Sequence, residues 1–154
     1  VPYTDGGAQE KGYRAGTENI ASIVGMATAL QGNCSNIEEN AKRLKFLETL
    51  LLEGLHEAQI PFVRNGNCSA LPGLISLSFS GADGEAILHR MDLMGISIST
   101  GSACDSVNTE ISHVLSAIRL DDKLAKGTIR VSLGKYNTEE DVCAIVAALR
   151  KILL

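Results

Sequence analysis

The chain has 154 residues, of which 45% are hydrophobic, which is enough for one domain, or for one domain and a fragment, with a real core. Eighteen acidic and fourteen basic residues leave a formal charge of -4, and the spread of the basic residues disfavours nucleic-acid binding. The longest apolar runs are too short to span a bilayer, and the first residues lack the form of a signal peptide. We therefore expect a cytoplasmic protein that binds neither nucleic acid nor membrane. Because the chain opens without Met on a glycine-rich loop, we also expect it to be part of a longer chain.

The four cysteines are widely spaced and form no C-x-x-C pair. They are Cys34, Cys68, Cys104 and Cys143. This spacing indicates neither a metal site nor a compact disulfide scaffold, and it fits reduced thiols in a cytosol.

Two helices are predicted in the first part of the chain. Helical spacing of apolar residues predicts a helix over about 18–31, with Thr17 near its N-cap and Gly32-Asn33 as a stop. Ser35 and Glu38 form a capping-box pattern before a longer helix that reaches about residue 58. One apolar stripe defines this second helix: Ile37, Ala41, Leu44, Leu47, Leu51 and Leu55.

The rest of the chain alternates short strands with helices. Strands are predicted at 61–63, 74–80, 96–99 and 128–133, and helices at 84–94, at 112–118 and from Thr138 onward. This order favours a two-layer α/β or α+β domain in which helices cover a small sheet.

Cys104 has the most distinctive setting of the four cysteines. It lies in the run Ser99-Thr100-Gly101-Ser102-Ala103-Cys104, directly after the apolar residues 96–98. Small neighbours leave a sulfur accessible, which a reactive thiol needs and a structural thiol does not. The pattern favours a reactive cysteine, and the alternative is a surface-loop thiol of ordinary reactivity.

Arg130 is the second candidate residue. Ile129 and Val131 are expected to face one side of a strand, so that Arg130 faces the other side together with Thr128. An arginine there can present its planar guanidinium to a carboxylate. The alternatives are a solvated strand arginine and a structural salt bridge.

A glycine-rich stretch over residues 6–19 precedes the first predicted helix. Loops of this kind can cradle a phosphate at a helix start. The stretch has neither P-loop spacing nor the dinucleotide fingerprint, so on its own it is equally well an ordinary turn.

Taken together, three ordered motifs closely resemble those of the NifS-like cysteine desulfurases. They are Arg14-Ala15-Gly16-Thr17-Glu18-Asn19, Ser99-Thr100-Gly101-Ser102-Ala103-Cys104 and Ile129-Arg130-Val131-Ser132-Leu133-Gly134. The resemblance implies a fold type I pyridoxal phosphate enzyme of the class V aminotransferase family. It implies that residues 1–34 are the end of the large cofactor-binding domain. Residues 35–154 would be the C-terminal small domain, with a long connecting helix and the catalytic cysteine loop.

The resemblance also implies an activity and a set of residue roles. The family removes sulfur from L-cysteine, giving L-alanine and an enzyme persulfide for iron-sulfur cluster or thio-cofactor assembly. Cys104 matches the nucleophile and Arg130 the arginine that binds the substrate carboxylate. Thr17 matches the residue that donates to the cofactor phosphate of the neighbouring subunit in a homodimer, with Arg14 and Gly16 supporting that loop. A sulfur acceptor or iron-sulfur scaffold protein would be the partner.

The chain departs from the family pattern chiefly by an absence. The S-x-H-K motif whose lysine holds pyridoxal phosphate does not occur in it. We therefore expect this chain alone to be inactive. Gly73 also stands where asparagine is usual, Asp105 where a hydroxyl residue is usual, and Ile111 where proline is usual.

Two other functions remain open from the sequence. One is a selenocysteine lyase or another class V pyridoxal phosphate enzyme, which would share most of these residues. The other is a cofactor-independent persulfide carrier or interaction module that uses Cys104 to accept sulfur, which the missing lysine permits.

Overall fold

The structure is a computed structural model, and it describes residues 1–66, 70–100 and 111–154. The chain divides into two compact units, Val1–Ile37 and Glu38–Leu154. No helix within the described ranges is both long enough and apolar enough to cross a membrane.

The first unit consists of a loop, a short 3-10 turn over Gln9–Gly12 and the helix α1, Ile20–Ser35. The predicted start of this helix was wrong by two residues, because Asn19 is the N-cap and its side chain accepts a hydrogen bond from Ser22 N at 3.1 Å. The predicted stop was also wrong, since a glycine inside a helix costs only about 1 kcal/mol and α1 continues past it. Ser35 ends α1 instead of capping the next helix, and its hydroxyl donates to Gln31 O at 2.8 Å.

The second unit contains five helices and three strands among its described residues. In chain order these are α2 (Ile37–Glu57, with its first residue in the first unit), β1 (Val63–Asn65), β2 (Leu74–Ser78), α3 (Gly84–Asp92), α4 (His113–Ala117), α5 (Asp122–Lys126), β3 (Thr128–Ser132) and α6 (Glu139–Leu153).

The three strands form one antiparallel sheet in the order β1-β2-β3. In this register Ser76 of β2 lies between Asn65 of β1 and Arg130 of β3. Cross-strand neighbours of this kind have side chains on the same face of a sheet. Ser76, Ser78, Thr128 and Arg130 therefore lie on one face, the polar face. The other, apolar face carries Arg64 of β1 together with the buried residues of β2 and β3: Ile75, Leu77, Ile129 and Val131.

The core of the second unit lies between that apolar face and three helices. Its fully buried side chains include Leu51 of α2, Met91 of α3, Leu149 of α6, and Leu77 and Ile129 of the sheet. The predicted stripe of α2 enters this core only in its second half, where Leu47, Leu51 and Leu55 are buried, whereas Ile37 is 64% exposed.

This architecture confirms the predicted fold class, a small sheet covered by helices. One predicted strand was wrong: residues 96–99 form no strand, and only Ser99 pairs with the sheet, through an isolated bridge to Arg130. Ile96 N is instead bonded to Met91 O at the end of α3. The helix α5 was not predicted, because its five residues are too few for a periodic pattern.

Candidate functional site

Arg130 is held on β3 with its side chain exposed. Ile129 is 0% and Val131 is 2% exposed, so the alternation that the sequence predicted for this strand places Arg130 outside the core. Among the residues that the structure describes, Arg130 forms no salt bridge. An exposed guanidinium of this kind has the donor geometry to bind a carboxylate.

Ser99 pairs with Arg130 through both backbone and side chain. Ser99 N donates to Arg130 O at 3.1 Å, and Arg130 N donates to Ser99 O at 2.6 Å. In addition, Arg130 Nη2 donates to Ser99 Oγ at 3.3 Å. This pairing places the start of the motif that contains Cys104 directly beside the candidate carboxylate-binding arginine.

Thr100 follows this bridge and is bonded to a different element. Its hydroxyl donates to Glu85 Oε1 at 2.6 Å, and its carbonyl oxygen accepts from Ser99 Oγ at 2.9 Å. Glu85 belongs to the first turn of α3. The start of the cysteine motif is therefore bonded to both β3 and α3.

A network of hydroxyl and amide groups covers the polar face of the sheet. Asn65 Nδ2 donates to Ser76 Oγ at 3.1 Å and to Ser78 Oγ at 2.7 Å. The hydroxyls of Ser78 and Thr128 lie 2.6 Å apart, and Thr128 Oγ1 also donates to Leu124 O at 3.0 Å. Thr128 shares a face with Arg130 but is buried, because its hydroxyl finds these partners inside the unit.

The glycine-rich loop of the first unit is organised by Arg14. Its Nη1 donates to Gly16 O at 2.7 Å, and its Nη2 forms a salt bridge of 2.7 Å with Glu18 Oε2. Gly16 has a φ of +106°, which a residue with a side chain adopts only with strain. Thr17 follows on the exposed surface, one residue after this bend.

The predicted nucleophile, Cys104, lies outside the described residues, as does Cys68. Cys34 of α1 and Cys143 of α6 are free, exposed thiols. Thr17 belongs to the first unit and Arg130 to the second.

A cavity of about 340 Å³ lies between the first half of α2 and the start of α6. None of the predicted site residues that the structure describes lines it. Its lining consists of Arg43, Phe46, Leu47, Thr138, Glu139 and Glu140.

Two carboxyl groups beside this cavity have perturbed acidities. Hydrogen bonds from Asn137 and from the Thr138 backbone hold the pKa of Asp141 below its usual value. A backbone hydrogen bond and a bond from Thr138 do the same for the pKa of Glu140. Both groups are at the N-terminus of α6, where free backbone N–H groups also favour a carboxylate.

Comparison with known proteins places this arrangement in a family. The model of the aminotransferase class-V family matches residues 4–145, which is most of the chain. The chain belongs to the class V aminotransferase family. The fold is similar to that of a solved NifS-like protein, with a TM-score of 0.84 and 34% sequence identity. The match covers 99% of this chain and 38% of that protein.

Two curated relatives carry the name cysteine desulfurase IscS. The protein from Dictyoglomus turgidum is 40% identical over 99% of this chain, and the one from Clostridium botulinum is 43% identical over 96% of it. The chain spans 39% and 38% of the lengths of these two relatives. The resemblance to NifS-like cysteine desulfurases is thereby confirmed, for a chain that matches less than half the length of each relative.

Sequence reasoning missed Glu85 and the backbone pairing of Ser99 with Arg130. The two members of each contact, Thr100 with Glu85 and Ser99 with Arg130, are 15 and 31 residues apart. No local pattern signals such contacts, since only the packing of α3 and β3 brings these residues together.

Proposed function

We propose that this chain is the C-terminal part of a pyridoxal phosphate-dependent cysteine desulfurase, which transfers sulfur from L-cysteine to Cys104 and releases L-alanine. The observation that carries the proposal is the pairing of the exposed Arg130 with Ser99, at the start of the motif that ends in Cys104. The names of the curated relatives support the same activity.

The proposed domain division assigns residues 1–34 to the end of the large domain and 35–154 to the small domain. The apolar surface of α1 supports this division. Ile20, Val24 and Leu30 are 62%, 58% and 61% exposed. A helix with this much exposed apolar surface is typical of one that a larger protein covers.

The residues of this chain fit one end of pyridoxal phosphate. The bend at Gly16, with Arg14 bonded across it, presents the hydroxyl of Thr17 at the surface, where it can donate to a phosphate. All seven lysines are exposed and none lies in an S-x-H-K motif, so the carbonyl end of the cofactor belongs to the remaining part of the parent protein. When bound, the cofactor serves as the electron sink for the reaction.

Thr17 is proposed to serve the cofactor of the neighbouring subunit, as the family resemblance implies. The active enzyme would accordingly be a homodimer. A cytoplasmic location and delivery of the sulfur to an acceptor or iron-sulfur scaffold protein complete the proposal.

Arg130 is proposed to bind the substrate, and Cys104 to accept its sulfur. The guanidinium of Arg130 binds the substrate carboxylate with two parallel hydrogen bonds, which fixes the orientation of the substrate. The Cys104 thiolate then attacks the substrate sulfur, so that a sulfur-sulfur bond forms as the carbon-sulfur bond breaks. The electron pair and a proton end on the substrate carbon, which balances one thiol and one L-cysteine against one persulfide and one L-alanine.

Thiol labelling tests the proposed nucleophile in the chain itself. We expect Cys104 to react with iodoacetamide at a lower pH than the exposed Cys34 and Cys143, because a nucleophilic cysteine must be available as a thiolate. Mass spectrometry of each cysteine-containing peptide, between about pH 6 and pH 9, bracketing the usual thiol pKa, measures this order. Equal rates at the cysteines would contradict the assignment.

A second measurement tests the activity in the full-length parent protein. Cys104→Ser should reduce alanine release more than about 100-fold, since the hydroxyl cannot accept the sulfur, while Cys143→Ser should leave the rate within about twofold. If the parent released no alanine from L-cysteine, a persulfide carrier would become the better interpretation. Preference for L-selenocysteine would instead indicate a selenocysteine lyase.

A further inference from the structure

Three hydrogen bonds connect Arg130 to the carboxylate of Glu85 by way of Ser99 and Thr100. Arg130 Nη2 donates to Ser99 Oγ at 3.3 Å, Ser99 Oγ donates to Thr100 O at 2.9 Å, and Thr100 Oγ1 donates to Glu85 Oε1 at 2.6 Å. The path begins at a cation and ends at an anion, and within Thr100 it passes from the carbonyl oxygen to the hydroxyl through covalent bonds.

The donor inventory is consistent along this set. A serine hydroxyl has one proton to donate and lone pairs with which it can accept. Ser99 donates its one hydroxyl proton to Thr100 O, so toward Arg130 its oxygen acts as the acceptor. Thr100 likewise uses its proton toward Glu85, which as a carboxylate can only accept. The guanidinium can only donate, and the carbonyl oxygen and the carboxylate can only accept, so the direction of all three bonds is fixed.

Glu85 lies in the capped first turn of α3, which packs against β3. The Asp83 side chain caps α3 by accepting from Glu85 N at 2.9 Å and from Ala86 N at 3.4 Å. A Cβ added at Gly84 would lie 2.7 Å from Thr128 O, so the start of α3 packs directly against the backbone of β3, close to Arg130. The carboxylate and the arginine consequently belong to two elements in direct contact.

We propose that Glu85 is a positioning residue for Arg130 and acts on it through Thr100 and Ser99. The inference rests on the proposed function, because it takes Arg130 as the group that binds the substrate carboxylate. Ser99 occupies one Nη2 proton and thereby fixes the plane of the guanidinium. Its other donors make no hydrogen bond within the described ranges, and they can form a bidentate contact whose strength depends on that orientation.

The first part of the test uses the 154-residue chain and requires no cofactor. Amide hydrogen exchange at Ser99 and the NMR signal of Arg130 Nε–Hε report the bridge and the guanidinium. Glu85→Ala and Thr100→Val should each accelerate exchange at Ser99 about three- to tenfold, as expected for the loss of one modest hydrogen bond, and should shift the Arg130 signal.

Matched variants separate positioning from general destabilisation. Thr100→Ser keeps the hydroxyl and should behave as the unchanged chain, and Glu139→Ala removes a first-turn glutamate of another helix, α6, and should alter neither signal. The double variant of Glu85 and Thr100 should match either single variant, because both remove the same contact. Unaltered exchange and an unaltered Arg130 signal in Glu85→Ala would overturn the proposal.

The second part measures L-cysteine turnover in the full-length parent protein. Glu85→Ala and Thr100→Val should raise KM about three- to tenfold with kcat within about twofold, whereas Thr100→Ser should restore the original KM. Altered NMR signals with an unchanged KM would overturn the positioning role. A parent protein without desulfurase activity would contradict the proposed function, and the exchange data would still decide whether Glu85 orients Arg130.

Discussion

The two units of this chain bury their apolar residues in opposite ways. In α1, five large apolar side chains have exposed fractions between 46% and 67%, and no residue of the helix is buried. In α2, α3 and α6, the corresponding side chains pack with the sheet into one cluster in which many are below 2% exposed.

The difference separates local from tertiary causes of helix formation. α1 is specified by its own sequence and by the Asn19 cap, whereas the helices of the second unit are also fixed by the core that they cover. Substitutions that are equivalent in the sequence should therefore have unequal effects in the two units.

The largest difference is expected for leucine truncation. Leu51→Ala, at a position with 0% exposure, should lower the free energy of unfolding by about 2–5 kcal/mol, because it removes buried methyl groups and leaves a cavity. Leu30→Ala, at 61% exposure in α1, should change it by less than about 0.5 kcal/mol. Urea unfolding followed by circular dichroism measures both, and equal losses would remove the contrast between the units.

Glycine substitutions should differ in sign. A Cβ at Gly127 would lie 2.1 Å from Phe79 O, so Gly127→Ala must displace backbone and should cost about 1–3 kcal/mol. Gly32 lies inside α1 with nothing within 4 Å of an added Cβ, so Gly32→Ala should stabilise that helix by up to about 1 kcal/mol. Thermal unfolding gives the sign of each change, and a stabilising Gly127→Ala would contradict the close packing.

The smallest effect is expected at the cap of α6 and depends on pH. Because hydrogen bonds lower the pKa of Asp141 in the folded chain, its carboxylate adds stability above its usual pKa of 3.8, and this contribution is lost as the pH falls through the lowered value. Asp141→Asn should accordingly be less stable than the unchanged chain near neutral pH, with a difference that shrinks in acid. Urea midpoints measured from pH 7 down to about pH 2, below the usual carboxyl range, follow this trend.

Thr138→Ser is the control for that measurement, since serine can form the same capping box. It should reproduce the pH profile of the unchanged chain. A constant difference for Asp141→Asn at every pH would show that the loss comes from something other than the carboxylate.

Periodic patterns allowed the sequence to predict much of the second unit. The stripe of α2 predicted a helix to about residue 58, and the helix ends at Glu57. Alternation predicted β3 and the outward side of Arg130, and the helix predicted from Thr138 onward is α6, with Thr138 as its N-cap. In each case the element is determined by a periodic pattern or a cap that involves only a few neighbouring residues.

Features that depend on distant residues were out of reach. The segment 96–99 has a strand-like sequence, but Ile96 N bonds to the end of α3, and only Ser99 reaches the sheet. For the candidate site, the sequence identified Arg130 and the cysteine motif, whereas the contacts of Glu85 with Thr100 and of Ser99 with Arg130 require the tertiary packing. The assignment of Cys104 as nucleophile stays a prediction.

The bridge between Ser99 and Arg130 also limits how far Cys104 can lie from the sheet. Four peptide units separate Thr100 from Cys104, and the contour length of such a tether is at most about 14 Å between the two Cα atoms. Thr100 is hydrogen-bonded to Glu85 of α3, and its neighbour Ser99 is bridged to Arg130 of β3. If Cys104 transfers the sulfur, its acceptor must therefore approach Thr100 to within about 14 Å plus the length of the cysteine side chain.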